Sequence, residues 1–322
     1  MKRRQFVALM GGALAAPFAI AQQPRRPFRV AHVSINSLET RKQLSDALEL
    51  GLREQGYVIG QNLILEQTAG DGNPARLPEL VERALRSKPD VVVTGVNAVT
   101  LAVAARTKDI PIVTALGTDL TSSGLVRTLA RPGGNVTGFT ADVDAGIAGK
   151  RIQLLKEVAP RVSRIGVFWE PPYKGTFQTA IDAAVSALGM SASWVEFSGD
   201  LEADFAKVVK SRADAVFFVT GTRPYALRKE VAALLSKHRL PAAMYGYEFV
   251  EAGCLMSYAA NFPALYRQAA RHIDRILKGA KPGDLPIEAP TVFELVINLR
   301  TAQALGLKIP PPVLLRADRV IE

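Results

Sequence analysis

Two stretches far apart in this 322-residue chain follow the same local plan. SKPDVVVTG begins at Ser87 and SRADAVFFVTG at Ser211, and each sets a small residue, a base and an aspartate ahead of an apolar run ending in Thr-Gly. The next apolar run also has its counterpart, IPIVTALG from Ile110 against LPAAMYG from Leu240. The offsets, 124 and 130 residues, are about one domain's length, so the repeat is a duplicated domain plan and not a short tandem array. A chain of this length also has room for two cores, because domains usually run roughly 100 to 200 residues.

Within each half, short apolar runs alternate with segments of helical period. FRVAHVSI from Phe28, NLILE from Asn62, DVVVTG and IPIVTAL read as strands. Between the first two, Leu44, Ala47, Leu48 and Leu52 share one helical face, and Thr40 with Gln43 has the spacing of a capping box. Leu77, Leu80, Val81, Ala84 and Leu85 repeat at helical spacing, with Pro78 in the first turn. Runs such as VVVTG are apolar without alternation, which suits strands buried on both faces of a parallel sheet. After Pro160 the plan restarts with SRIGVFW, a helix from Thr176 to Leu188, SASWVEF and a helix from Leu201 to Ser211. The expected fold class is α/β, with two doubly wound Rossmann-like lobes.

The first residues, MKRRQFVALMGGALAAPFAIAQQ, have a basic start, a short apolar middle and Ala19-Ile20-Ala21 ahead of Gln22. That is the layout of a cleaved secretory signal over residues 1–21. The apolar run is shorter than the roughly 20 residues needed to span a bilayer. Arg3-Arg4 resembles the twin-arginine export signal, although Lys2 stands where Ser or Thr is usual, so both the twin-arginine and the Sec route stay open. Cys254 is the only cysteine, so no intrachain disulfide forms and no lipid-bearing cysteine stands at the cleavage site. A freely diffusing periplasmic protein is expected. The formal charge of +10 falls to +7 without Lys2, Arg3 and Arg4, and the remaining bases form no long run, which argues against a nucleic-acid face.

Enzyme signatures do not emerge. The chain has no G-x-S-x-G elbow, no P-loop and no G-x-G-x-x-G after its first strand, and His32, His238 and His272 lack metal or triad spacing. No catalytic residue, metal or cofactor is expected.

AGDGNPARLPELVERALRSKPDVVVTG, GLVRTLARPGGNVTGFT, GKRIQLLKEVAP and the long segment from EFVEAGCLMSYAANFPALYRQAARHIDRILKGAKPGDLPIEAPTVFELVINLRTAQALGL to PPVLLRADRVIE resemble one family. It is the ABC transporter substrate-binding proteins related to the tryptophan-binding TrpX type. The resemblance covers nearly the whole chain and implies a type I periplasmic binding fold: two lobes, three crossing segments and a small-molecule ligand between them. Lobe 1 would comprise 28–138 plus 262–286, and lobe 2 would comprise 139–261 plus 287–322. It further implies a monomer that delivers its ligand to an ABC permease in the inner membrane. An amino acid or aromatic carboxylate is the favoured ligand class. A sugar-type receptor and a ligand-binding partner of a membrane sensor are the alternatives.

In open α/β sheets ligands sit beyond the carboxyl ends of the strands. On that rule lobe 1 offers Ser34, Ile35 and Asn36, then Asn97 and Ala98, then Thr118 and Asp119. Lobe 2 offers Trp169 and Tyr173, then Thr222 with Tyr225, then Tyr247 and Glu248 near Tyr245. Aromatic rings at such loops can cover a flat apolar ligand, and Asp119 can receive an amino group or simply cap the following helix.

Overall fold

A computed structural model describes residues 26–322 apart from 119, 142–145 and 172, so the expected signal segment lies outside the described residues. The first sheet contains β1 (Phe28–Ser34), β2 (Leu63–Ala69), β3 (Val91–Thr94), β4 (Ile112–Gly117) and β5 (Val136–Thr140). All pairs are parallel, in the order β2-β1-β3-β4-β5. Its crossover helices are α1 (Lys42–Glu54), α2 (Leu77–Arg86) and α3 (Asn97–Arg106).

The second sheet contains β6 (Arg164–Trp169), β7 (Ser191–Glu196), β8 (Ala215–Phe218), β9 (Ala242–Met244), β10 (Met256–Ala260), β11 (Phe293–Asn298) and β12 (Arg319–Ile321). Its order is β12-β11-β10-β9-β8-β6-β7, and only β10 with β11 runs antiparallel among the described pairs. Helix α4 (Gly146–Val158) leads into β6, and α5 (Tyr173–Ala187), α6 (Leu201–Lys210), α7 (Thr222–Ala226), α8 (Arg228–Lys237) and α9 (Tyr247–Glu251) connect the strands from β6 to β10. Then follow α10 (Phe262–Leu277), α11 (Leu299–Leu305) and α12 (Pro311–Leu314).

The unbroken apolar runs are explained by burial on two faces. Val91 and Val93 pack into one core and Val92 into another, and all three are fully buried. In the second sheet Val216 and Phe218 face one core, whereas Ala215, Phe217 and Val219 face the other.

The duplicated motif has one structure in both halves. Lys88 (φ 51°) and Arg212 (φ 59°) each reverse the chain in the left-handed region. The aspartate two residues on then ties that turn to the neighbouring strand. Asp90 Oδ2 accepts the Arg29 N–H at 2.8 Å, and Asp214 Oδ1 accepts the Arg164 N–H at 2.9 Å. Ser87 and Ser211 donate to the carbonyls of Ala84 and Val208, and the carbonyls of Pro111 and Pro241 each accept a strand N–H at 2.9 Å.

The chain passes between the sheets three times: after β5, after β10 and before β11. In the middle passage α10 returns to the first sheet and packs along α1. Gly51 permits that approach, since a Cβ there would lie 2.2 Å from the Arg267 carbonyl oxygen. Strand β5 keeps Phe139 and Thr140 in the first sheet, two residues beyond the boundary drawn at Gly138, because its pairing with β4 continues to Thr140.

The expected capping box does not form. Helix α1 has no side-chain cap; the Ser37 hydroxyl accepts the Thr40 N–H and donates to Thr40 Oγ1, while Gln43 is engaged elsewhere. Among the described residues no helix is long and apolar enough to cross a membrane.

Candidate ligand site between the two lobes

In each sheet the strand order reverses beside the first strand of the fold unit, between β1 and β3 and between β6 and β8. Loops diverge there and leave a crevice at the carboxyl ends of the strands. The two crevices face one cavity, which holds about 760 Å³ of empty space with its mouth included. Ser34 at the end of β1, Ile35 and Asn36 just beyond it, and Thr118 after β4 line it from the first sheet. Thr220, Gly221 and Thr222 after β8, with Tyr225 and Tyr245, line it from the second. Phe262 and Tyr266 on α10 complete the wall.

The other expected residues stand elsewhere. Asn97 is buried and clamps the loop after β4: its Oδ1 accepts the Thr118 N–H at 2.9 Å and its Nδ2 donates to the Thr118 carbonyl. It therefore shapes the wall without lining it. Ala98 is exposed on α3, outside the cavity lining. Trp169 is half-buried beneath the Lys174 ammonium, 5.1 Å from its ring. Asp119 and the Tyr173 side chain lie outside the described residues.

Tyr247 bridges the lobes. Its Oη donates to Gln43 Oε1 on α1 at 3.1 Å, and the Arg319 guanidinium lies 4.9 Å from its ring. Glu248 is buried and accepts from Tyr225 Oη at 3.2 Å. It lines a second cavity that shares Tyr225 as a wall with the first and includes Glu39, Thr40 and Gln43 of α1 and its preceding turn. Burial pushes the Glu248 carboxyl up to about 7, against the opposing hydrogen bond from Tyr225. Burial likewise raises the Tyr245 hydroxyl well above its ordinary value, and that hydroxyl donates to the Gly221 carbonyl at 2.5 Å.

The strongest charge in the cavity wall is Arg41, which topology did not single out. Its side chain is 1% exposed, and Nη1 donates to His32 Nδ1 at 2.8 Å. Nε and Nη2 have no partner among the described residues. Burial, with a smaller contribution from the Arg41 charge, holds His32 neutral well below its ordinary range. Burial also lowers the Arg41 pKa. Tyr266 lies beside the pair, its ring centroid 5.5 Å from that of His32 and its hydroxyl 2.5 Å from where a Gly95 Cβ would sit. One sequence signal marks Arg41: a cation at the start of a helix opposes the helix dipole. Among the described residues no group of three or more His, Cys, Asp or Glu side chains could hold a metal ion.

Two α/β lobes joined by three passages around an aromatic-walled cavity with one buried cation define a solute-binding protein of the type I periplasmic class. The ABC transporter substrate binding protein family matches residues 29–321, and the chain belongs to it. Members of this family bind small ligands and deliver them to ABC permeases; the family is one of solute binders, not enzymes.

Similar solved structures include the ABC domain in complex with L-Trp from Streptococcus pneumoniae, 26% identical, covering 92% of this chain and 100% of its own, with a TM-score of 0.84. A conserved domain protein from Vibrio cholerae is 25% identical over 92% of this chain and 100% of its own, with a TM-score of 0.85. A curated relative, the Tyrosine-binding protein of Clostridioides difficile, is 24% identical over 261 residues, which is 80% of this chain and 74% of the relative.

Proposed function

We propose that this protein captures an aromatic amino acid or aromatic carboxylate in the interlobe cavity and serves as the solute-binding component of an ABC importer. The observation that carries the reading is one cavity, shared by both lobes, that combines the buried Arg41 with Tyr225, Tyr245, Phe262 and Tyr266. Aromatic walls cover flat apolar ligands, and a buried guanidinium calls for an anion. The L-Trp bound to the Streptococcus pneumoniae structure and the tyrosine named for the Clostridioides difficile relative support the same ligand class.

In this reading the protein is exported by residues 1–21 and works in the periplasm as a monomer, without nucleic acid, cofactor or catalysis. The moving bodies are 28–140 with 262–286 and the remainder. A ligand that touches both bodies favours the closed arrangement by its differential affinity, and the permease in the inner membrane receives that closed form.

Thermal unfolding of residues 22–322, refolded to strip carried-over ligand, tests the assignment. L-tryptophan, L-tyrosine or 4-hydroxybenzoate should raise Tm saturably, because a ligand bound only to the folded state stabilises it. A shift from sugars alone, or from none of these compounds, overturns the assignment.

A further inference from the structure

We infer that His32 is a positioning residue which turns Arg41 into a two-pronged carboxylate receptor inside the interlobe cavity. The inference rests on the ligand class proposed above and deepens it. An arginine has only donors, so the 2.8 Å contact between Nη1 and His32 Nδ1 is possible only if Nδ1 carries a lone pair. The imidazole proton then sits on Nε2, and the ring is neutral. Both side chains are buried, His32 fully and Arg41 to within 1%. His32 lies on β1 between Val93 and Gln67 of the neighbouring strands, so its ring cannot drift from the sheet.

The consequence is written in which Arg41 atoms remain free. In a guanidinium the Nε–H and one Nη2–H point the same way from one edge, while Nη1 belongs to the opposite side. His32 engages Nη1, and the two atoms without a partner among the described residues are Nε and Nη2. They form the edge that accepts a planar, two-oxygen anion through parallel hydrogen bonds. A buried cation with that edge unsatisfied is costly, and a ligand carboxylate supplies the missing charge and both acceptors. The Tyr266 ring closes the site beside His32, so an aromatic body attached to the carboxylate would extend toward Phe262, Tyr225 and Tyr245. A histidine able to accept, and not a carboxylate, is the appropriate anchor: an aspartate at position 32 would neutralise Arg41 and compete with the ligand.

The test compares each acid with its amide, which keeps the body and the ammonium but removes the second oxygen anion. Calorimetric titrations at pH 7.5 use L-tryptophan, L-tyrosine, L-tryptophanamide and L-tyrosinamide on ligand-stripped protein. The unmodified protein should prefer acid over amide by about 100-fold, as two charge-assisted hydrogen bonds allow. Arg41→Met should reduce that ratio to near one, and Arg41→Lys, a point charge without a fork, should lose about tenfold of it. His32→Gln, whose amide oxygen can still accept from Nη1, should keep the ratio within about threefold, and His32→Phe should lower it about tenfold.

Folded His32→Phe with an unchanged ratio overturns the positioning role and leaves the ligand class standing. Acid and amide bound equally by the unmodified protein overturn the carboxylate fork alone, and binding of none of the four overturns the ligand class with it. Should His32→Phe fail to fold, imidazole ¹⁵N spectra of the unmodified protein decide. A neutral ring with its proton on Nε2 from pH 6 to 8, with and without L-tryptophan, supports the proposal, and an Nδ1 proton or an imidazolium overturns it.

Discussion

The two halves of the molecule agree at one end of their sheets and part company at the other. Where β3 and β8 begin, the same left-handed base and the same aspartate bind the turn to the adjacent strand, in Lys88 and Asp90 as in Arg212 and Asp214. Where the same strands end, both reach Thr-Gly, yet the surroundings differ. Gly95 meets the Tyr266 hydroxyl, and Gly221 offers its carbonyl to Tyr245 while the Glu170 carboxylate packs against it. Lobe 1 brings the cation, held by a neutral histidine. Lobe 2 brings tyrosines whose protons are committed to a carbonyl and a carboxylate. Turns that only hold the sheet have one good solution and look alike, whereas the strand ends that line the cavity differ and bring complementary groups to it.

If that contrast is right, the lobes respond to pH in opposite directions. Glu248 titrates near 7 in the folded protein against 4.5 for the free side chain, so folding favours its protonated form. Its contribution is greatest below about 4.5 and is lost as pH rises through 7, a difference on the order of 3 kcal/mol. His32 has a depressed folded value, so its contribution is present above the ordinary 6.5 and is lost as pH falls. Glu248→Gln should therefore raise Tm at pH 8 and have little effect at pH 4.5. His32→Gln should flatten the acid side instead. Melting curves from pH 4.5 to 8.5 check both, and identical profiles for the two variants would break the contrast.

The turn motif allows a finer comparison. Asp214 accepts from the Ser163 and Arg164 N–H groups and the Ser163 hydroxyl, whereas Asp90 accepts from the Arg29 N–H and the exposed Arg26 side chain. Asp214→Ala should cost about 2 kcal/mol and Asp90→Ala about 1 kcal/mol, since more backbone donors are left without a partner in the first case. Urea unfolding measures the difference. Ligand affinity should stay within about twofold in both variants, because these turns lie at the opposite strand ends from the cavity.

How far the residues foretold this arrangement depends on whether the feature is local. The apolar runs, the duplicated turn and the helical faces of α1 and α2 depend on neighbours within a few residues, and they were legible. The cavity residues at or just beyond strand ends, Ser34 to Asn36, Thr118 and Thr222, followed from topology alone. Arg41 did not, because it stands in the turn before α1, where periodicity assigns no face and a charged residue looks like solvent-exposed surface. Tyr266 lies in the 262–286 segment that the family resemblance assigns to lobe 1, but its contact with His32, more than 200 residues away in sequence, depends on how α10 packs on the first sheet and has no local signal. The capping box failed for a related reason: Ser37 and Thr40 satisfy each other, and Gln43 is drawn across the cleft by Tyr247.

That last contact is the smallest and the most direct test of how the halves meet. The Tyr247 hydroxyl donates to Gln43 at an exposed position, where a neutral hydrogen bond is worth about 0.5 kcal/mol net of the water it displaces. Tyr247→Phe keeps the ring beneath Arg319 and removes only the bond between the lobes. It should leave Tm of the ligand-free protein nearly unchanged and speed ligand release by about two- to threefold, seen in stopped-flow displacement of L-tryptophan. Gln43→Ala should do the same, and the double variant should add nothing further, because both changes break one bond. Additive effects would show that Tyr247 contributes through its own lobe and not through the contact across the cleft.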